Sequence, residues 1–218
     1  MNYLTHYLDA ILLLLIACFP AGFNMIIPTK NKYPIQTHCI INVFLAVFLS
    51  MCLKGHNLKI GFNPKQQYII CSIALMIFVG ILCIIVEYAI AQMFYYIKHK
   101  SLAKSIRIPT YQNCKWHILL LVVIQSVSEE IVLRCTVFYI MHHLLGINNI
   151  AILITVLTMV FAFNHIFAGR EQILQKLFIG AIISMLFVVN DGIIWYAVVP
   201  HIVLNTSYFI LAKRRWLQ

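Results

Sequence analysis

Three ionisable residues lie inside an otherwise apolar run (116–145), in the stretch QSVSEEIVLRC (125–135). Each charge in the middle of a transmembrane helix costs about 3 kcal/mol, so these side chains need a compensating role. On a helix, Glu130 and Arg134 are four residues apart and can form an ion pair. Glu129 is rotated by about 100° from Glu130 and is predicted to stay free for chemistry. The alternative is that both acids only stabilise the arginine between packed helices.

Two further apolar segments carry polar residues that could join this pair. FAFNHIF contains His165, with Phe161 one helical turn before it. PHIVLN places His201 and Asn205 four residues apart, and therefore on one face of a helix. Pro200 should kink that helix and free backbone carbonyls, which is tolerated where they line a cavity. The three segments together predict a polar site within the membrane.

These residue types suit the hydrolysis of an amide bond. A desolvated glutamate can act as a general base on water, a histidine can hold that water, and a His–Asn face can donate to an oxyanion. A zinc ion held by Glu129, His165 and His201 is an alternative, although the chain has no His-Glu-x-x-His helix. It also lacks a Gly-x-Ser-x-Gly motif, and Ser126 and Ser128 are interpreted as helix-packing hydroxyls.

Composition indicates where such a site must lie. The chain of 218 residues is 62% hydrophobic and only 10% charged, whereas soluble domains are about half apolar and roughly 25% charged. This composition predicts an integral membrane protein surrounded by the lipid bilayer. The net charge of +10 does not indicate nucleic acid as a partner, because the basic residues cluster in short connectors without interleaved aromatics. Seven cysteines without Cys-x-x-Cys spacing indicate neither a disulfide framework nor a cysteine metal site.

Seven apolar segments are long enough, or nearly so, to cross a bilayer, which takes about 20 helical residues. They predict an all-α fold, a polytopic membrane helix bundle of about seven transmembrane helices. The segments lie near 8–27, 36–53, 68–97, 116–145, 149–168, 173–190 and 192–212. We divide the chain into N-terminal transmembrane helices with a cytoplasmic connector (1–115), a catalytic transmembrane core (116–212) and a basic cytoplasmic tail (213–218).

The basic residues predict an N-out, C-in orientation. With the N-terminus outside, the inner side holds twelve of the sixteen Lys and Arg residues and the outer side three. The sixteenth basic residue, Arg134, lies within a transmembrane segment. Lys176 is one of the twelve inner-side residues. This asymmetry is the positive-inside pattern. Glu87, in the inner part of the third segment, is interpreted as snorkelling toward the interface, and pairing that supports the site is the alternative.

The motifs Glu-Glu-x-x-x-Arg, Phe-x-x-x-His and His-x-x-x-Asn, in this order, resemble the CPBP family. Its members include CAAX prenyl proteases of the Ras-converting type and bacterial bacteriocin-processing or self-immunity proteins. The stretch FIGAIISMLFVVNDGIIWYAVVPHIVLN also resembles the approach to the third family motif. The resemblance covers roughly 116–212, and the first three segments match only in being hydrophobic.

The resemblance implies an intramembrane endopeptidase with a glutamate-activated water. By position, Glu129 would be the base, His165 would hold the water, and His201 with Asn205 would form the oxyanion site. No cofactor is required on this reading, although zinc is possible. The substrate would be a peptide or prenylated protein entering from the membrane or the inner side, and the predicted location is the plasma membrane.

The resemblance implies a supporting role for Glu130 and Arg134. The family often has glycine after the arginine, where this chain has Cys135, and this departure affects helix packing or the pocket rather than a catalytic group. A non-catalytic immunity or peptide-binding protein of the same fold is the alternative function. A proton-relaying transporter ranks last, because no inverted repeat is evident.

Overall fold

The computed structural model describes residues 3–18, 34–53, 68–103, 114–166 and 169–213. Within these ranges the chain forms seven helices and contains no strand. The helices are α1 (Tyr3–Cys18), α2 (Pro34–Cys52), α3 (Ile69–His99), α4 (118–144), α5 (Ile150–Phe163), α6 (Arg170–Val189) and α7 (Trp195–Lys213). The all-helical prediction is therefore confirmed, and each predicted segment overlaps one helix.

The long apolar runs explain these helices, because a helix satisfies its backbone hydrogen bonds within the segment. By length and composition, α3, α6 and α7 could each cross a membrane. Shorter apolar helices span Asp9–Cys18, Cys39–Cys52 and Ile150–Phe163. The ends of two predicted segments, at 19–27 and 167–168, lie outside the described residues.

The helix that carries the glutamates is not a regular α-helix throughout. After its first α-helical part, Ile118–Glu130, α4 widens into π-helical turns at Ile131–Thr136 and Ile140–Leu144. In the first π segment the Thr136 hydroxyl donates to the Ile131 carbonyl at 2.9 Å, five residues earlier. Such wide turns are often found at functional sites. In α4 the π-helical turns begin directly after Glu130.

The helices pack so that α4 and α7 bring two of the motifs together. α4 packs against both α2 and α7, α7 also packs against α3, and α6 packs against α5, α3 and α7. The core between them consists of fully buried apolar side chains, among them Leu157, Phe161, Ile183 and Phe187. Close packing of these side chains stabilises the bundle interior through van der Waals contacts, which act between helices in lipid as well as in water.

Two glycines permit the close helix contacts on which the site depends. A Cβ at Gly80 of α3 would lie 2.7 Å from the Val203 side chain and 3.0 Å from the Pro200 carbonyl oxygen. A Cβ at Gly180 of α6 would lie 3.1 Å from the Phe161 ring. Small residues at these positions let α3 approach α7, and α6 approach α5, as in other membrane helix pairs.

Candidate active site

The pair predicted from the helical spacing is present. The Nη1 atom of Arg134 donates to both carboxylate oxygens of Glu130, and both side chains are fully buried. Arginine Nε also donates to the hydroxyl of Ser184 on α6 at 3.3 Å. The guanidinium carbon lies 4.3 Å from the centroid of the Phe161 ring on α5, a cation–π geometry. The pair thus links α4 to α5 and α6, and its two charges cancel.

His201 lies between the two glutamates. Its Nδ1 is 2.5 Å from Glu130 Oε1, and its Nε2 is 3.7 Å from Glu129 Oε2. A carboxylate has no hydrogen to give, so Nδ1 carries the hydrogen of the short contact. Nε2 can then donate a hydrogen bond only when the ring is protonated, and it accepts one when the ring is neutral. The histidine is itself buried.

Glu129 has different partners from its neighbour. Its side chain keeps 14% of its surface exposed. Two amide groups donate to the same oxygen, Oε1: Gln125 Nε2 at 2.8 Å and Asn42 Nδ2 at 3.3 Å. Neither amide is charged, so the carboxylate is hydrogen-bonded without being neutralised by a cation such as Arg134. The two glutamates are therefore inequivalent in the way that the helical rotation predicts.

The two amide donors to Glu129 are residues that the sequence reasoning missed. Gln125 is four residues before Glu129, so the helical period was a usable signal for that pair. Asn42 is an amide within the apolar stretch 39–49 of α2, and a polar residue inside a membrane segment is itself a functional hypothesis. Nothing in the sequence shows that α2 and α4 would bring these side chains together.

Asn205 lies on the same face of α7 as His201 and contacts α4. Its Nδ2 donates to the Ser126 hydroxyl at 2.9 Å, and that hydroxyl donates to the Val122 carbonyl at 2.9 Å. An amide nitrogen has two hydrogens, so one remains for another acceptor. Ser126 thus does more than pack helices, because it sets the orientation of the Asn205 amide.

His165 lies just beyond the end of α5 and is half-buried. Its Nδ1 is 2.9 Å from the Phe161 carbonyl oxygen, and its ring centroid is 5.0 Å from that of Phe161. The Phe161 ring is also 5.6 Å from the His201 ring, edge to face. The phenylalanine of the second motif therefore contacts both histidines and Arg134. The convergence of His165 and Glu129 on one water stays a prediction.

A second buried ion pair corrects the interpretation of Glu87. Lys176 Nζ lies 2.9 Å from Glu87 Oε1, and both residues are buried. The interfacial snorkelling of Glu87 is therefore wrong, because the carboxylate turns inward and pairs with a lysine of α6. The reason is that opposite charges can satisfy each other between packed helices, a contact that local sequence does not reveal.

The described donor set does not form a metal site. Among the described residues, no group of three or more His, Cys, Asp or Glu side chains is arranged to hold a metal ion. Glu129 and His201 lie close together, whereas His165 is connected to them through the Phe161 ring. The described site therefore consists of the Glu129 carboxylate, the hydrogen-bond donors around it and the Glu130–Arg134 ion pair.

Comparison with known proteins agrees with the motifs. Residues 111–207 match the family model of the type II CAAX prenyl endopeptidase Rce1-like proteins. The match covers slightly less than half of the chain and includes all three motifs, which confirms the family resemblance. No curated protein and no solved structure matches the chain. The matched family is one of proteases, and with the three long apolar helices it supports a peptidase that is an integral membrane protein.

Proposed function

We propose that this protein is an intramembrane endopeptidase that hydrolyses a peptide bond of a peptide or prenylated protein substrate. The observation that carries the proposal is the inequivalence of the two glutamates. Glu130 is fully buried and neutralised by Arg134, whereas Glu129 is partly exposed, faces His201 and has only neutral donors on its other oxygen. A carboxylate that is not tied up in an ion pair with arginine keeps an oxygen available for water, as a water-activating mechanism needs.

The proposed reaction begins with Glu129 removing a proton from water while the water oxygen attacks the carbonyl carbon of the scissile bond. His165 holds that water, which is the role carried over from the family resemblance. The carbonyl oxygen becomes negative and accepts hydrogen bonds from protonated His201 Nε2 and from the Asn205 amide. The carboxyl group of Glu129 then gives the proton to the leaving amine as the carbon–nitrogen bond breaks, which restores the carboxylate.

The surrounding residues suit these roles. The contact with Glu130 requires a hydrogen on Nδ1 of His201, so a protonated ring donates on both sides and its charge faces two carboxylates. Such a ring is an effective donor to an oxyanion. The hydrogen bond from Asn205 to Ser126 aligns the amide and leaves one N–H for the substrate. Arg134 stays with Glu130 and takes no part in bond breaking.

The proposed setting is a multi-pass protein of the plasma membrane, with the N-terminus outside and the C-terminus inside. The asymmetry of basic residues supports this orientation. A peptide substrate would reach Glu129 from the membrane or from the inner side. No cofactor is needed for the reaction as written.

The test uses purified protein in detergent and quenched fluorescent peptides, with and without a prenylated cysteine near the C-terminus. Glu129→Gln keeps the shape of the side chain and removes the base. We expect it to lower kcat/KM by about 10²–10⁴-fold, the range for loss of general base catalysis. Glu171→Gln, the same change at an exposed glutamate of α6, is the matched control and should retain full activity.

Equal cleavage by the wild type and by Glu129→Gln on every peptide would refute the protease proposal. Tight binding of a peptide without any cleavage by the wild type would also refute it, and would favour the peptide-binding or immunity alternative. Comparison of the prenylated and unmodified peptides then shows whether the lipid contributes to recognition.

A further inference from the structure

We propose that Gln125 and Asn42 are positioning residues that select which oxygen of Glu129 acts as the base. The inference rests on the proposed protease function and extends it to a part of the chain outside the family match. That match begins at residue 111, so α2 and its asparagine lie beyond it. The site is thus completed by a helix whose sequence gave no family signal.

The first donor comes from the same helix as the glutamate. Gln125 and Glu129 are four residues apart in the α-helical part of α4, which places the two side chains on one face. The amide nitrogen of Gln125 lies 2.8 Å from Oε1, a good hydrogen-bond distance. Gln125 is only partly buried, and its amide is directed along the helix toward the carboxylate.

The second donor comes from α2. Asn42 is buried, and its amide nitrogen lies 3.3 Å from the same oxygen. One turn earlier on α2, the Cys39 thiol lies 3.7 Å from the Leu121 carbonyl oxygen of α4. The two contacts hold α2 in register against α4, so the Asn42 amide is held at the depth of Glu129.

Both donors bind Oε1, and this convergence has a consequence for the chemistry. The last side-chain torsion of glutamate has no strongly preferred angle, so a carboxylate group without hydrogen-bond partners rotates readily. Two N–H groups on Oε1 occupy its lone pairs and stop that rotation. Oε2 is then the oxygen that faces His201 Nε2, at 3.7 Å. Oε2 is therefore assigned as the atom that accepts the proton from water.

The donors act through Glu129 and do not touch the scissile bond, so they are expected to affect turnover more than substrate binding. Gln125→Met and Asn42→Leu remove each donor at nearly constant volume. We expect kcat to fall about 10- to 100-fold, since small misplacements of a catalytic group have effects of this size. KM and the apparent Tm should stay close to those of the wild type.

Gln92→Met is the matched control. The Gln92 amide donates to the Tyr88 hydroxyl and the Ala103 carbonyl at the end of α3, so the same replacement there should leave kcat unchanged. Gln125→Glu serves as a second variant that keeps the shape of the side chain. It replaces a donor by an acceptor beside Glu129, and it should lower kcat at least as much as Gln125→Met.

The inference and the proposed function fail in different ways. If Glu129→Gln is inactive but both donor variants turn over like the wild type, the positioning role is refuted and the protease proposal stands. If both donor variants lower Tm and raise KM in step with the loss of kcat, the amides are structural and the inference is also refuted. Retained activity in Glu129→Gln would refute the proposed function itself.

Discussion

Removal of the Glu130 carboxylate is expected to destabilise this protein more than removal of the adjacent Glu129 carboxylate. In Glu130→Ala the guanidinium of Arg134 stays fully buried and loses the carboxylate to which its Nη1 donates. The Ser184 hydroxyl and the Phe161 ring remain, but neither carries a negative charge. In Glu129→Ala the neutral amides of Gln125 and Asn42 lose an acceptor, and the longer 3.7 Å contact with His201 Nε2 is lost.

The magnitudes follow from these environments. Breaking a buried ion pair by removing one partner costs about 3–5 kcal/mol. Loss of the acceptor for neutral amides at the partly exposed Glu129 costs about 1–2 kcal/mol. For a chain of this size, 1 kcal/mol corresponds to about 2–4 °C in Tm. We therefore expect Glu130→Ala to lower Tm by roughly 6–20 °C and Glu129→Ala by roughly 2–8 °C.

The assay is thermal unfolding of both variants in one detergent, at one protein concentration and one scan rate, because membrane proteins often unfold irreversibly. Glu171→Ala, at an exposed glutamate of α6, controls for the loss of a surface carboxylate. A double variant, Glu130→Leu with Arg134→Met, removes both charges. Its Tm should exceed that of Glu130→Ala, since an apolar pair of similar volume often replaces a buried ion pair without loss.

Equal losses of Tm in Glu129→Ala and Glu130→Ala would refute this reasoning, because the two carboxylates would then contribute equally to stability. The reasoning would also fail if the double variant were no more stable than Glu130→Ala. In that case the unpaired charge of Arg134 would not be the source of the cost.

Three further predictions concern the surrounding bundle. Lys176→Met should lower Tm, because it leaves the buried carboxylate of Glu87 unpaired, and adding Glu87→Gln to it should restore part of the loss in the same unfolding assay. Gly80→Ala should cost about 1–3 kcal/mol in unfolding measurements, because the new Cβ would overlap a valine side chain of α7, and an unchanged Tm would contradict the close helix approach. Single cysteines at Lys100 and Lys213, in a background without native cysteines, should react with an impermeant thiol reagent from the inner side only, and labelling from outside would overturn the predicted orientation.

The local features of this protein follow from its amino-acid sequence alone. Long apolar runs predict helices because the backbone must satisfy its hydrogen bonds within each segment, and the seven described helices follow those runs. The Glu130–Arg134 contact and the distinct direction of Glu129 follow from the helical period alone, and both are present. The order of the three motifs also indicated the family that residues 111–207 match.

The contacts between side chains of different helices depend instead on the helix packing. Asn42 is an isolated amide in an apolar run, and the sequence does not show whether it faces lipid, another helix or the site. Its bond to Glu129 depends on the packing of α2 against α4. Likewise, Glu87 and Lys176 are 89 residues apart and pair because α3 packs on α6. Local spacing sets the direction of a side chain on its own helix, whereas its partner depends on the packing of helices distant in sequence.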